Sequence, residues 1–205
     1  MKVRATRSIS LILSFVLALG LSVCTVSAAY TEINISRFRQ EKSQWCWAAA
    51  ARMAADYLYS PVPTQSQIVA YIKGSSNVNE PGTTAETARS MEFATSWVKH
   101  AGSTTSGNPW TFQHVTISID NHRPVVPLVN DGSSGHYYVI CGYEASTERI
   151  ALVDPGNATR YTCSWDDFND GDTTGGWKES RPHAYTCFFL DWSSPSMKKG
   201  GSERK

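Results

Sequence analysis

The sequence predicts an α+β domain, with helices in its first half and antiparallel strands in its second. Three observations carry that expectation. Between Trp45 and Tyr59 the chain is rich in alanine, lacks glycine and proline, and places Trp45, Ala48, Ala49, Arg52, Met53, Asp56 and Tyr57 at helical spacing. After Pro124 it changes to short β-branched and aromatic runs separated by turn residues. The two patterns follow one another in blocks, which is the order of an α+β fold and not of a parallel βαβ chain.

The first helix is stopped by Ser60-Pro61-Val62-Pro63, and Thr64 caps a second, short one running through Ile68, Val69 and Ile72 to Gly74. Residues 75–83 read as a loop. A third helix is expected from Thr84 to His100, ended by Gly102, with a Ser/Thr/Gly loop continuing to Pro109. The segment from Thr111 to Asn121 carries Phe112, Val115, Ile117 and Ile119, a period compatible with either helix or strand. Strands are expected at Val125 to Val129, His136 to Cys141, Ile150 to Val153, Arg160 to Trp165 and Ala184 to Leu190.

The chain of 205 residues opens with Lys2, Arg4 and Arg7, an uncharged run from Ile9 to Val23, and the small-residue sequence Val26-Ser27-Ala28-Ala29. This is the pattern of a secretory signal cleaved after Ala28. The apolar run is shorter than the ~20 residues of a membrane span, and Val23 stands where a lipid-attachment box places a small residue. Export to an extracytoplasmic or secreted location is therefore expected, without stable membrane insertion. Losing Lys2, Arg4 and Arg7 takes the formal charge from +1 to −2, a balance that argues against nucleic acid or an anionic membrane as partner. Residues 29–192 suffice for one core and hence one domain, expected to be a monomer. Residues 193–205, with Lys198, Lys199 and Lys205 among glycine and serine, read as a disordered basic tail.

Beyond Cys24, four cysteines remain: Cys46, Cys141, Cys163 and Cys187. In an oxidising compartment such a count suggests disulfides. Cys163 and Cys187, both near aromatic residues, are the expected pair, and Cys141 in an apolar run is expected to be a buried small hydrophobe. Cys46 is expected to stay free, because it starts a helix. There, unsatisfied N–H groups and the helix dipole stabilise a thiolate, the nucleophilic form of the side chain. An imidazole can hold the other half of an ion pair and protonate a leaving amine. An oxyanion needs a fixed donor, for which Gln40 or Gln44 is available.

Gln40, five intervening residues, and Cys46-Trp47 opening a helix resemble the oxyanion-glutamine and nucleophile register of the papain-like cysteine peptidases. Gln44-Trp45-Cys46-Trp47-Ala48-Ala49 is similar to a bacterial branch of that clan, which includes secreted and effector peptidases and relatives of the bacteriocin-processing (C39-like) peptidases. The resemblance continues in Gly135-His136-Tyr137-Tyr138-Val139-Ile140, the element that carries the general base, and in Ile150-Ala151-Leu152-Val153-Asp154-Pro155, which carries its orienting partner. It covers Arg39 to Asn157. The lead-in Ser43-Gln44-Trp45 departs from papain's Cys-Gly-Ser type.

The resemblance implies a papain-like fold whose nucleophile helix packs on a C-terminal antiparallel sheet. It implies a peptidase in which Cys46 attacks, His136 shuttles the proton, Asp154 orients His136, and Gln40 with the Cys46 N–H stabilises the oxyanion. An extended peptide or protein segment is then the substrate. Asn157 is the alternative to Asp154, since Asp-Pro-Gly is also a plain turn sequence, and Gln44 is the alternative to Gln40. His100, His114, His122 and His183 lack the Gly-turn and apolar-strand setting and read as structural or surface residues. Trp45 and Trp47 read as core and cleft wall, and Gly175-Gly176-Trp177 as a surface loop.

Two rival functions share the same residues: a peptidoglycan endopeptidase or transglutaminase-like acyltransferase on the same Cys-His frame, and a non-catalytic binding module. Neither a metal nor an organic cofactor is expected, for want of Cys-x-x-Cys, helical His pairs, a closed calcium loop or a phosphate-binding glycine loop.

Overall fold

The computed structural model describes residues 30–59, 61–95, 102–106, 111–130, 135–170 and 186–191. The expected export segment 1–28, the tail 193–205 and the Gly175-Gly176-Trp177 loop lie outside the described residues. The order of elements is β1 (Tyr30–Glu32), α1 (Cys46–Leu58), α2 (Gln65–Lys73), α3 (Thr84–Ala94), β2 (Gly102–Ser106), α4 (Phe112–Asp120), β3 (Val125–Asn130), β4 (Gly135–Tyr137), β5 (Val139–Glu144), β6 (Arg149–Asp154), β7 (Thr159–Ser164), α5 (Trp165–Asp170) and β8 (Thr186–Asp191).

Helix α1 is the centre of the helical half. Cys46, Trp47, Ala48 to Ala51, Met53, Ala54 and Ala55 are all buried, so the helix is enclosed on almost every side, as an all-round apolar helix must be. Its alanines let α3 on one side and strands β3, β4 and β5 on the other approach closely. Helices α2 and α3 are each started by a capping box, Thr64 with Gln67 and Thr83 with Glu86, and α2 ends on Gly74 at φ 80°.

The strands form an antiparallel sheet in the order β2-β8-β3-β5-β6-β7, with β1 added to β5 and β4 to β3. Val125, Val126, Val129, Val139, Ile140, Ile150, Leu152 and Val153 are the strands' contribution to the buried core, adjacent residues being buried on opposite faces of the sheet. The expected strand from His136 to Cys141 is divided at Tyr138. Before it, β4 pairs with β3 through Val129↔His136; after it, β5 pairs with β6 through Val139↔Val153. Tyr138 N–H donates to Pro127 O at 3.1 Å.

Other expectations need correction as well. The third helix ends at Ala94, where the Thr95 hydroxyl turns back onto Met91 O, and Gly102 opens strand β2 instead of closing a helix. The expected loop at 102–106 is that strand; its small polar residues carry no apolar alternation, and it exists through pairing with β8. The expected Cys163–Cys187 bridge is absent, because Cys163 is a free, buried thiol. Cys163 lies on β7 and Cys187 on β8, and β3, β5 and β6 stand between them. Four strand spacings of ~4.8 Å far exceed the ~7 Å Cα limit of a disulfide.

Thr111 to Asn121, ambiguous in sequence, is helix α4, started by Thr111 N–H donating to His114 Nδ1 and terminated by His122 at φ 58°. Trp165, expected to finish the strand that begins at Arg160, instead opens the short helix α5.

The loop between α2 and α3 is pressed onto α1, and Gly82 shows how tightly: a Cβ there would lie 2.5 Å from Trp47 Cγ. Gly82→Ala must displace a fully buried indole, and the expected loss is about 1–3 kcal/mol of unfolding free energy, measured by urea denaturation.

Candidate active site

Cys46 is the first residue of α1, and the preceding Trp45 supplies no side-chain cap. No acidic residue occupies the first turn either. The N–H groups at this helix end are thus free of a side-chain cap, in contrast to the capped ends of α2 and α3. What holds the end in place is the neighbouring loop. Trp45 Nε1–H donates to Val78 O (2.8 Å) and Trp47 Nε1–H to Glu80 O (3.2 Å). Asn79 accepts from Gln44 N–H and donates to Ser43 Oγ, both at 3.0 Å. Lys42 Nζ sits 4.6 Å over the Trp45 ring and donates to Ser76 O.

His136, on β4, is brought opposite this helix end. Its Nε2 lies 2.7 Å from Asp154 Oδ1, which leaves Nδ1 as the ring nitrogen for Cys46. Burial alone would lower the imidazole pKa. Hydrogen bonds to Asp154 and to Cys46, reinforced by the charges of those two groups, outweigh it and raise His136 from 6.5 to about 9. Tyr138 packs edge-on against the ring at 4.7 Å. The imidazole is held from its carboxylate side, its thiol side and one flank.

Asp154 closes β6, and the turn reading and the orienting reading of this residue both apply to it. Oδ1 accepts from Gly156 N–H (2.6 Å) as well as from His136, and the Asp154 carbonyl accepts from Ala158 N–H. A Cβ on Gly156 would lie 3.0 Å from that same Oδ1, so glycine is needed for the close approach. Asn157, the alternative, is turned elsewhere: its Nδ2 donates to Tyr161 Oη and its Oδ1 accepts from Thr159 N–H.

Gln40 lies in the strap between β1 and α1. Its backbone N–H donates to Pro155 O (2.7 Å), which ties the strap to the Asp154 turn. Its side-chain Nε2 donates to Lys42 O (3.0 Å) and Ser43 O (2.7 Å), and Oε1 is buried without a hydrogen-bond partner. The amide is therefore oriented within the segment that leads into Cys46. Gln44, the other candidate, has an exposed side chain. Cys46, His136 and Asp154 come together as one chain of contacts, with Gln40 joined to it through the backbone.

Sequence reasoning missed Gln65 and Asn79. Gln65 is on the buried face of α2 with Ile68 and Val69, and a carboxamide on an apolar stripe was the available signal. Asn79 gave none, lying in a loop where asparagine is ordinary. Among the described residues no group of three or more metal-ligating side chains occurs, and no helix is long and apolar enough to cross a membrane.

No curated protein matches the chain. Among solved structures it is similar to a double glycine motif protease from an AMS/PCAT transporter, in complex with the leader peptide. Identity is 14% and the TM-score 0.47, over 78% of this chain and 94% of that one. It is also similar to the peptidase domain of Streptococcus ComA, a bi-functional ABC transporter involved in a quorum sensing pathway. There the identity is 13% and the TM-score 0.49, over 78% of this chain and 99% of the other. The family model described as Peptidase_C39 like family matches residues 32–184. That span takes in the helical half, the strap, helix α1 with Cys46 and the strands that carry His136 and Asp154, and the chain belongs to the Peptidase_C39-like family of papain-like cysteine peptidases.

Proposed function

We propose that this cysteine peptidase is an exported monomer that hydrolyses peptide bonds through a Cys46-His136-Asp154 triad. The observation that carries the reading is the placement of His136 between the Cys46 thiol and the Asp154 carboxylate. The Cys46 thiolate attacks the scissile carbonyl carbon, forming the C–S bond while the carbonyl electron pair moves to oxygen. The resulting oxyanion is met by the Cys46 N–H and the Gln40 amide, which gives up one of its carbonyl acceptors to reach it. Collapse breaks the C–N bond, and the departing amine takes its proton from His136. Water, deprotonated by His136, then cleaves the thioester and restores thiolate and imidazolium.

Asp154 keeps the ring in the rotamer that serves both partners and stabilises its charged form. The substrate is an extended peptide segment, from an unfolded stretch or a flexible loop of another protein. The N-terminal basic and apolar segment ending at Ala28 supports export.

Casein hydrolysis by the protein, abolished in Cys46→Ala, is the expected outcome. Turnover of purified peptidoglycan with casein left intact would instead assign the same residues to cell-wall cleavage. The pH dependence follows from His136. Its folded pKa is raised above the ordinary 6.5 to about 9, so the protonated ring needed to release the amine persists through neutral pH and is lost as pH rises through about 9. The peptidase rate is expected to fall along that alkaline limb. Asp154→Asn removes the charge that helps raise this pKa and leaves at most a weaker, neutral hydrogen bond, so the limb moves to lower pH and kcat drops; a limb that stays in place would show that the Asp154 charge does not act on the imidazole.

A further inference from the structure

Between Ile33 and Gln40 the strap forms no regular element, yet its backbone near Gln40 is bonded on both sides. Gln40 N–H donates to Pro155 O on one side. On the other, Gln65 Nε2 donates to Arg39 O (2.8 Å) and Gln65 Oε1 accepts from Glu41 N–H (3.0 Å). In an extended chain the C=O of one residue and the N–H of the second residue along point to the same edge, and the residue between them points to the opposite edge. The Gln65 carboxamide therefore stands in for the peptide unit of a neighbouring strand, spanning Gln40 from 39 to 41. Its amide orientation is unambiguous, because only one arrangement puts oxygen against an N–H and nitrogen against a carbonyl.

Gln65 is 1% exposed. A carboxamide buried so completely is costly unless both ends are bonded, and here both ends are spent on the two peptide groups that bracket Gln40. Helix α2, on which it sits, is itself fixed by its capping box and by Gly74. The chain of support runs from α2 through Gln65 to the strap, and from the Gln40 amide to the carbonyls of Lys42 and Ser43 beside the nucleophile.

We infer that Gln65 is a positioning residue for Gln40, holding its backbone so that its side-chain amide meets the oxyanion; this rests on the peptidase reading above. The effect is geometric: an oxyanion donor is useful only within a few tenths of an ångström of its place, and Gln65 grips the strap on both flanks of Gln40.

The test is a double-mutant cycle on casein turnover with Gln65→Met, Gln40→Ala and the two combined. Cys46 alkylation by iodoacetamide, followed against pH, is measured on each protein. Gln65→Met should lower kcat by roughly 10–100-fold, with KM changed by less than about threefold. In the Gln40→Ala background it should have little further effect, because both changes act through one amide. Alkylation rate and its pH profile should stay at the wild-type level, since the thiol and imidazole are untouched.

Full turnover in folded Gln65→Met overturns the inference. So does a loss of turnover that simply adds to that of Gln40→Ala, or one accompanied by slower alkylation. If Gln65→Met does not fold, Gln65→Glu decides by the same comparison, since it keeps the volume and the Glu41 acceptor but opposes the Arg39 carbonyl with a second acceptor. A wild-type protein without Cys46-dependent turnover would remove the peptidase reading itself, an outcome distinct from an active enzyme indifferent to Gln65.

Discussion

The site is registered against a single turn, Asp154-Pro155-Gly156. One carboxylate oxygen of Asp154 accepts from both His136 and the Gly156 backbone. The Pro155 carbonyl receives Gln40 N–H, and the Gly156 carbonyl receives Arg39 Nε. The same few residues thus set the imidazole and the strap that leads to the nucleophile. Because Asp154 is also the last residue of β6, the turn inherits the rigidity of a strand paired on both sides, with β5 and with β7. A carboxylate fixed by its own turn loses little further freedom when it orients an imidazole.

The Cys46 end of α1 is supported differently. Capping a helix N-terminus stabilises by about 1 kcal/mol, and α2 and α3 use that device while α1 does not. A carboxylate or hydroxyl cap at Trp45 would occupy the N–H groups that a thiolate and an oxyanion need. The stabilisation that a cap would give is replaced from outside the helix, by two indole N–H bonds to the 75–83 loop, by Asn79, and by complete burial of Trp45 and Trp47. The two tryptophans are therefore fasteners for the reactive end as well as core.

Much of this was legible in the sequence, for identifiable reasons. Cys46 before an alanine run, His136 after a glycine, and Asp154 at the end of a β-branched run are local patterns, and local patterns survive in a linear reading. The turn chemistry of Asp-Pro-Gly left Asp154 and Asn157 open, and the fold places Asp154 beside His136 with Asn157 engaged by Tyr161. Features that depend on partners distant in sequence were hidden. Strand β2 has no apolar alternation and forms only against β8. The supposed Cys163–Cys187 bridge failed because strand order, invisible in sequence, puts three strands between them. The break at Tyr138 was hidden as well, because it depends on β4 pairing with β3 alone while β5 lies between β3 and β6. Gln65 escaped because its partners, Arg39 and Glu41, are backbone groups of an irregular strap.

All of these supports bear on one proposal, that Cys46 and His136 form the reactive pair of the peptidase. The buried thiols Cys141 and Cys163, both pushed up to about 12 by burial first of all, provide an internal contrast, since neither should ionise near neutral pH. The most direct measurement is covalent labelling of the native protein by a peptidyl epoxide at neutral pH, with the modified residue located by peptide mass mapping. A single adduct on Cys46, absent in His136→Ala, is the predicted result. A folded protein that takes no label at Cys46, or in which Cys46 is found in a disulfide, would contradict the account.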